Sequence, residues 1–538
     1  MNKKILSGLA VLLVILAGGY FYANTINSQV EEIAEQTLAG YDIKHSTVKY
    51  NCFNKTLTIK DIAFPYGSQN IKIDNTAEEM LIKGVNADSF KKDTDETMLL
   101  CKELIFNTVK STVYAYDNEE LETTTKKISI KKPVLNLQKL ISLHTTMPYS
   151  EEYFQNILNI RHDGIVFDNI NMQAFKDSEN NMSFAIDTIE FPAFRENNFD
   201  IFYKNINITS SPIDIKAAEI ALQNIALPTA KYLATLSKTI IRLNELERYL
   251  DYTNDNLSLL EYEKLSEMLL SQLSYPYQSK TPLISNIKIA GVAFSFNEID
   301  EIAKSPITIK ELAYAINEDD KTLTIDSTLE QLIIANDFLQ HAVTPASLEI
   351  FKQKFTNGMI ISLGHNAEYA KETGLYTQDT KLSVDNLADL TAKLAGSVIN
   401  KDKSVFLSNY NPFLSGLTDV DLDKIINTVT LKKLQVSYAD TGFIDFAFKI
   451  AAQETGMPAD KVKEQVLATL ELEKNNIVDI EERTTFDNDV IKVIDTLMET
   501  INNTGKFLMN ITFDDDLTLN ELYYATDVPA YTLEVDAK

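Results

Sequence analysis

Tryptophan is absent from this 538-residue chain, and only two cysteines, five histidines and sixteen glycines occur in it. Each shortage removes a class of function. Sugars usually stack on aromatic platforms of which tryptophan is the commonest, so a paired-carboxylate glycosidase is disfavoured. Two cysteines cannot frame a disulfide scaffold, and they form no CxxC for redox work or zinc. The histidines His45, His144, His162, His341 and His365 are dispersed and none sits in HExxH, so no metal or acid–base centre is visible. Few glycines leave little material for phosphate cradles, and neither GxxxxGK(S/T), GxGxxG nor a GxSxG elbow is found. Accordingly no catalytic, cofactor-binding or metal residue is assigned, and the chain is not expected to be an enzyme.

Positive charge is also scarce. Fifty Lys and Arg stand against 77 Asp and Glu, a formal charge of −27. Binding a polyanion requires Lys and Arg to neutralise phosphates, so nucleic acid is excluded as a partner. The same charge opposes a body lying flat on anionic lipid, and it solvates the surface.

Only one long apolar run is present, Ile5 to Ala23, preceded by Lys3 and Lys4 and followed by Glu31, Glu32 and Glu35. At ~1.5 Å per helical residue it matches the ~30 Å hydrocarbon core of a bilayer. The positive-inside bias keeps the N-terminus cytoplasmic and sends the body across. The competing reading is a cleaved signal peptide ending at Ala17-Gly18-Gly19. Anchor is preferred, because the run continues through Tyr20, Phe21 and Tyr22 into an amphipathic pattern of Ile26, Val30, Ile33 and Leu38.

The rest of the chain is rich in short alternating segments, and one octamer recurs. Leu57-Thr-Ile-Lys-Asp-Ile-Ala-Phe64 returns as Ile307-Thr-Ile-Lys-Glu-Leu-Ala-Tyr314, as Val429-Thr-Leu-Lys-Lys-Leu-Gln-Val436 and as Leu517-Thr-Leu-Asn-Glu-Leu-Tyr-Tyr524; Ile128-Ser-Ile-Lys131 begins another. Alternation places Leu57 with Ile59, and Ile307 with Ile309, on one strand face. The Lys-Asp or Lys-Glu step that follows shifts the register and predicts a bulge or bend. Polar turns such as Asn317-Glu-Asp-Asp-Lys321 predict hairpins, hence antiparallel sheet.

Helical periodicity interrupts the strands twice. Leu233, Leu236, Ile240, Leu243, Leu246 and Leu250 recur at three and four, and a second helix over 257–273 completes a hairpin. Nearer the C-terminus, helices are predicted over 443–452, 461–470 and 490–501, with Gly456 ending the first and Pro458 beginning the second. A strand over 507–513, a tight turn at Asp514-Asp515-Asp516 and the Leu517 octamer close the chain. The expected fold is α+β: predominantly antiparallel β-sheet, elongated and curved, with inserted helical hairpins and one N-terminal transmembrane helix. The expected divisions are 1–23 (anchor), 24–227 (β-rich), 228–279 (helical hairpin), 280–420 (β-rich) and 421–538 (α+β).

What chemistry remains is apolar. A sheet face carrying Leu57, Ile59, Ile307 and Ile309 is a candidate surface for acyl chains, the alternative being an ordinary covered core. Cys52 and Cys101 form a disulfide in one reading, closing a loop of about fifty residues worth about 4 kcal/mol, and stay as two buried thiols in the other. Asp514 to Asp516, or Asp421 with Asp423, lack the spaced ligands and glycine of a calcium loop and are read as turn and cap.

The strand pair Tyr41-Asp-Ile-Lys-His-Ser-Thr-Val-Lys-Tyr50 and Leu57-Thr-Ile-Lys-Asp-Ile62, directly after a single apolar segment and an amphipathic helix, resembles the opening of AsmA-like and YdgA-like proteins. The C-terminal third is similar to the end of YdgA-like proteins, through Leu431-Lys-Lys-Leu-Gln-Val-Ser-Tyr438, the helix pair across Gly456-Met-Pro458 and the hairpin from Asn510-Ile-Thr-Phe to Leu517-Thr-Leu519. The resemblance implies a Gram-negative cell-envelope protein, single-pass in the inner membrane through residues 5–23, with a periplasmic body and no cofactor. It implies phospholipid handling along an apolar groove and offers no catalytic residues. A helical hairpin at 230–273 departs from the continuous strands of the AsmA pattern. The alternative function is envelope assembly or scaffolding, with another envelope protein bound through the helices; the weaker alternative is a periplasmic hydrolase.

Overall fold

A computed structural model describes residues 24–537 other than 25, 37, 41–42, 68–70, 86–97, 116–117, 136–149, 159–160, 175–181, 194–197, 211–212, 227–228, 253–255, 274–283, 297–306, 340–343, 402–425, 481–482, 504 and 525–528. The expected anchor at 1–23 lies outside the described residues, as do Asp421, Asp423, His144 and His341. Among the described residues no helix is long and apolar enough to cross a membrane.

Antiparallel sheet dominates, as the alternating segments require. The chain divides into two compact units, Met1–Ser211 with Gln223–Gln272, and Pro212–Leu222 with Leu273–Lys538. The expected boundaries at 227, 280 and 420 all fall outside the described residues. The helix pair belongs to the first unit, and β17 and β18, on either side of 402–425, pair with each other.

In the first unit β1 (Thr47–Asn51), β2 (Thr56–Gly67), β3 (Ile71–Lys83), β5 (Glu103–Ala115), β6 (Asn118–Lys131), β8 (Gly164–Ala174), β9 (Ser183–Pro192) and β10 (Asn198–Ser210) pair antiparallel in chain order. The short β4 (Met98–Leu99) and β7 (Val134–Leu135) pair separately. A helix over 26–36 docks on β1: the Tyr50 N–H donates to Glu31 Oε1 at 2.6 Å and the Cys52 N–H to Asn27 Oδ1 at 2.9 Å. Val30 and Leu38 of the predicted stripe pack in the first unit's core, but Ile33 is 46 % exposed and the buried Ala34 takes its place. Helix Glu151–Leu158 packs on Ala230–Tyr252, which pairs with Asn256–Leu273 through Arg242, whose guanidinium donates to both carboxylate oxygens of Glu261 at 2.9 and 3.2 Å.

The strand β11 (Ile213–Ala226) contributes to both units. In the second unit β12 (Ile284–Phe296), β13 (Ile307–Glu318), β14 (Thr322–Ile334), β15 (Met359–Ala370), β16 (Leu375–Val384), β17 (Ala388–Ser397), β18 (Thr430–Asp440), β19 (Lys506–Thr518) and β20 (Tyr531–Ala537) again pair antiparallel in order. The predicted hairpin at Asn317–Lys321 joins β13 to β14, with Asp319 accepting from the N–H groups of Lys321 and Thr322. Helices Phe443–Thr455, Ala459–Val478 and Thr485–Asn503 lie between β18 and β19, and Gly456 caps the first at φ +69°. Pro458 is the N-cap of the second rather than its first residue.

The C-terminal hairpin expected at Asp514 to Asp516 does not form. β19 runs through the acidic triplet, and its register against β18 shifts there, Lys433 pairing with Thr512 but Leu431 with Leu517. The Lys432 ammonium lies 3.8 Å from Asp516 Oδ1 and donates to the Asp514 carbonyl, so the triplet is a bulge answered by a lysine. The fourth octamer correspondingly ends in helix Leu519–Tyr524 instead of a strand.

Candidate functional site

The Lys-Asp and Lys-Glu steps mark a crease that runs across the strands of the first unit and across β12 to β14 of the second. In the first unit Asp61, Thr108, Asn169 and Asn205 have φ near +50°, and the register skips at each. They sit on alternate strands, facing Glu78, Lys126 and Asp187 of the strands between. In the second unit Gly291 (φ +62°) and Gln331 (φ +51°) take the same place around Lys310. At Gly291 a Cβ would lie 2.8 Å from that of Ala218, which glycine avoids. A left-handed residue in a strand interrupts the ladder, and polar side chains bridge the gap. Ser46 Oγ donates to Asp61 Oδ2 at 2.6 Å, Asn205 Nδ2 to Asp187 Oδ2 at 2.9 Å, and the Gln331 N–H to Ser362 Oγ at 3.2 Å.

The crease resets the pleat. Side chains of a regular strand return to one face every second residue, yet here apolar positions fall three apart: Ile59 and Ile62, Phe106 and Val109, Phe167 and Ile170, Tyr203 and Ile206. Leu57, Ile59 and Ile62 are all buried in one cluster with Ala34, Leu38, Val48, Ile82 and Cys101, while Lys60 and Asp61 are exposed. One face therefore stays apolar on both sides of the crease.

Cross-strand register then assembles apolar rows. In the first unit Val48, Ile59, Met80, Phe106, Ile128, Phe167, Ile189 and Tyr203 stand opposite one another in succession. In the second unit the corresponding row is Ile289, Leu312, Leu329, Leu363, Leu382, Leu390, Tyr438 and Phe507. Two rows further along lie Ile316, Ile325 and Ala367, buried in a core with Leu323, Tyr369 and Tyr376. Phe355, Leu387 and Phe446 close the other end, packed with Met359 and Val384. The leucine row between these cores is half open: Leu312, Leu363, Leu382 and Leu390 are 36 to 40 % exposed. Beside it Ser327, His365 and Thr380 form a polar notch, with His365 Nδ1 2.7 Å from Thr380 Oγ1 and the imidazole pKa lowered by burial. The opposite face is polar, carrying Asp326, Asn366, Asp379, Lys393 and Gln435 in one row, with Lys393 and Asp379 paired at 2.7 Å.

The four residues picked from the octamers are thus distributed. Leu57 and Ile59 are fully buried under the helix over 26–36, a covered core. Ile307 and Ile309 lie in the second unit beyond the crease, opposite Ile334 and Leu332, and are half-buried. The leucine row was missed although each member sits in an alternating segment; the signal that locates it is the three-residue spacing at the crease, which fixes the register between strands. Cys52 and Cys101 are both free thiols, so no disulfide joins them. Cys101 is fully buried beneath β3 and β5 residues, and burial pushes its thiol up to about 11. Among the described residues no three His, Cys, Asp or Glu side chains come together as a metal site.

A family model described only as an uncharacterized protein matches residues 376–518, from β16 into the end of β19. No curated protein matches the chain.

Proposed function

We propose that this chain is a non-enzymatic envelope protein, held in the inner membrane by residues 5–23, whose periplasmic body accommodates acyl chains of phospholipid on its apolar sheet face. The observation that carries the reading is the leucine row of β13 to β17, with exposed members on β13, β15, β16 and β17 in register across the half-buried Leu329 of β14. Contiguous exposed apolar surface is uncommon on soluble proteins and marks an interaction site. A paired sheet has already satisfied its backbone groups, so an alkyl chain lying across the row buries methylenes at ~0.8 kcal/mol each without breaking a hydrogen bond. The resemblance to AsmA-like and YdgA-like proteins points the same way.

The absence of tryptophan supplies the test. Leu363→Trp places a single indole on the row. With phosphatidylcholine vesicles its emission should shift to the blue and be quenched by chains brominated near their ends; emission unchanged by either lipid refutes the proposal.

A second reading, scaffolding, is favoured by Ile240, Ile241, Leu259 and Leu260, all 39 to 47 % exposed on the helix pair of the first unit. It predicts that Ile241→Glu with Leu260→Glu releases a co-purifying envelope protein while leaving the Leu363→Trp lipid response intact.

A further inference from the structure

Helix Thr485–Asn503 packs on β19 and β20, and between them lies a cavity of about 320 Å³. Its wall is apolar: Phe486, Val490 and Val493 from the helix, and Met509, Ile511 and Leu533 from the strands, among others. Phe486 is 47 % exposed, so the cavity meets the surface beside it. Ligand pockets run from about 300 to 1,000 Å³, which gives this one room for a single chain. A mostly apolar wall with a few polar groups suits an apolar guest.

One charged group belongs to the lining. Asp489 is 6 % exposed; its Oδ1 accepts from Lys492 Nζ at 2.7 Å, and Tyr531, also in the lining, hydrogen-bonds to it. A carboxylate offers about four lone-pair positions, so two donors leave it able to accept again. Burial first, then the bond to Asp489, pushes the Tyr531 hydroxyl up to about 12, which keeps it a neutral donor. A second carboxylate in the cavity would meet Asp489 as a like charge, whereas a hydroxyl would meet an acceptor.

We propose that this cavity binds one single-chain amphiphile with a neutral hydroxylated head, of the monoacylglycerol or long-chain alcohol type, its chain against Val493, Ile511 and Leu533 and its hydroxyl donating to Asp489. The assignment rests on the acyl-chain reading above and gives a single chain a defined seat at one end of the β20 side of the sheet.

Photolabelling of the full chain in phosphatidylcholine nanodiscs, with a monoacylglycerol bearing a diazirine in its chain, tests it by peptide mapping. Label is expected on residues 486–493 and 509–513, competed by monoolein and by oleyl alcohol but poorly by oleic acid. Competition by only one of the two alcohols identifies the head within the class. Val493→Phe fills the cavity and should abolish the label there. Asp489→Asn, a milder change, should erase the preference for alcohol over acid. Equal competition by oleic acid in the unsubstituted chain overturns the proposal. Label confined to β15 to β17 overturns it while leaving the leucine-row reading standing; label confined to the cavity supports the seat and overturns the row; label on neither overturns both.

Discussion

Ile59 and Ile62 are buried in the same cluster although they lie three positions apart along β2, because Asp61 between them takes φ +50° and turns the strand over. The relationship recurs on alternate strands of the first unit and again at Gly291 and Gln331 in the second. It keeps one face apolar over the whole strand length, where uninterrupted alternation would send half of each strand's apolar residues to the polar side.

The crease makes Asp61 replaceable only by residues that tolerate the left-handed region. Asp61→Gly should leave thermal stability within about 0.5 kcal/mol, the lost bond to Ser46 being offset by relief of strain. Asp61→Val, at the same position, should cost about 1–2 kcal/mol or more, since a β-branched residue meets its own carbonyl there. Urea midpoints of the two variants should therefore fall on opposite sides of a clear gap; equal midpoints would mean that the backbone does not hold this conformation.

The octamer was legible because its two halves report two things at once: alternation gives the strand, and Lys60-Asp61 or Lys310-Glu311 breaks it where the register skips. Helix positions were legible from spacing, down to the Gly456 cap. Asp514 to Asp516 misled, since an acidic triplet reads as a turn whenever the partner strand is unknown; only Lys432 across the ladder shows why it stays in β19. Exposure was not legible. Leu323 and Leu363 sit in equally good alternating segments, yet one is fully buried and the other 40 % exposed, because burial depends on sequence-distant residues, here Val398, Val429 and Leu519, that close over one row and not the other.

Gly396 is opposite Tyr376, and the tyrosine hydroxyl passes over it to donate to the Thr430 carbonyl at 2.9 Å. An added Cβ would lie 1.9 Å from that carbonyl oxygen and 3.0 Å from the Tyr376 ring. Gly396→Ala must then push β17 from β18, and a cost of about 3 kcal/mol or more is expected from overpacking against backbone. Tyr376→Phe keeps the ring and loses one buried bond, about 1 kcal/mol. Chemical denaturation should rank the alanine variant as the weaker of the two; the reverse order would place the constraint in the hydroxyl.

Cys101 and Cys52 should separate cleanly by reactivity. Iodoacetamide on the folded chain is expected to modify half-buried Cys52 and spare Cys101 until unfolding. Burial raises the Cys101 thiol from 9.0 to about 11, so the folded chain keeps a proton that the unfolded chain releases. That contribution is fully present below about pH 9 and is lost as pH rises through about 11. Cys101→Ala should flatten the alkaline arm of the stability profile, measured as melting temperature against pH; an unchanged arm assigns the slope to other groups.

The leucine row and the adjoining core make opposite demands on the same residue type. Leu323 is fully buried, and Leu323→Ala should cost about 2–5 kcal/mol through lost contacts and an unfilled cavity. Leu363 and Leu382 keep 40 and 36 % of their surface in water, so Leu363→Ser or Leu382→Ser forfeits only part of a leucine's burial, about 1–2 kcal/mol. Acyl-chain contact should follow the inverse order. With a reporter indole at Leu390, Leu363→Ser and Leu382→Ser should weaken quenching by brominated phosphatidylcholine several-fold while urea midpoints fall less than they do for Leu323→Ala. Leu323→Ala should lower the midpoint and leave quenching of the folded fraction unchanged. If all three variants lost stability and quenching in parallel, the row would be an ordinary part of the core, and the acyl-chain reading would fall with it.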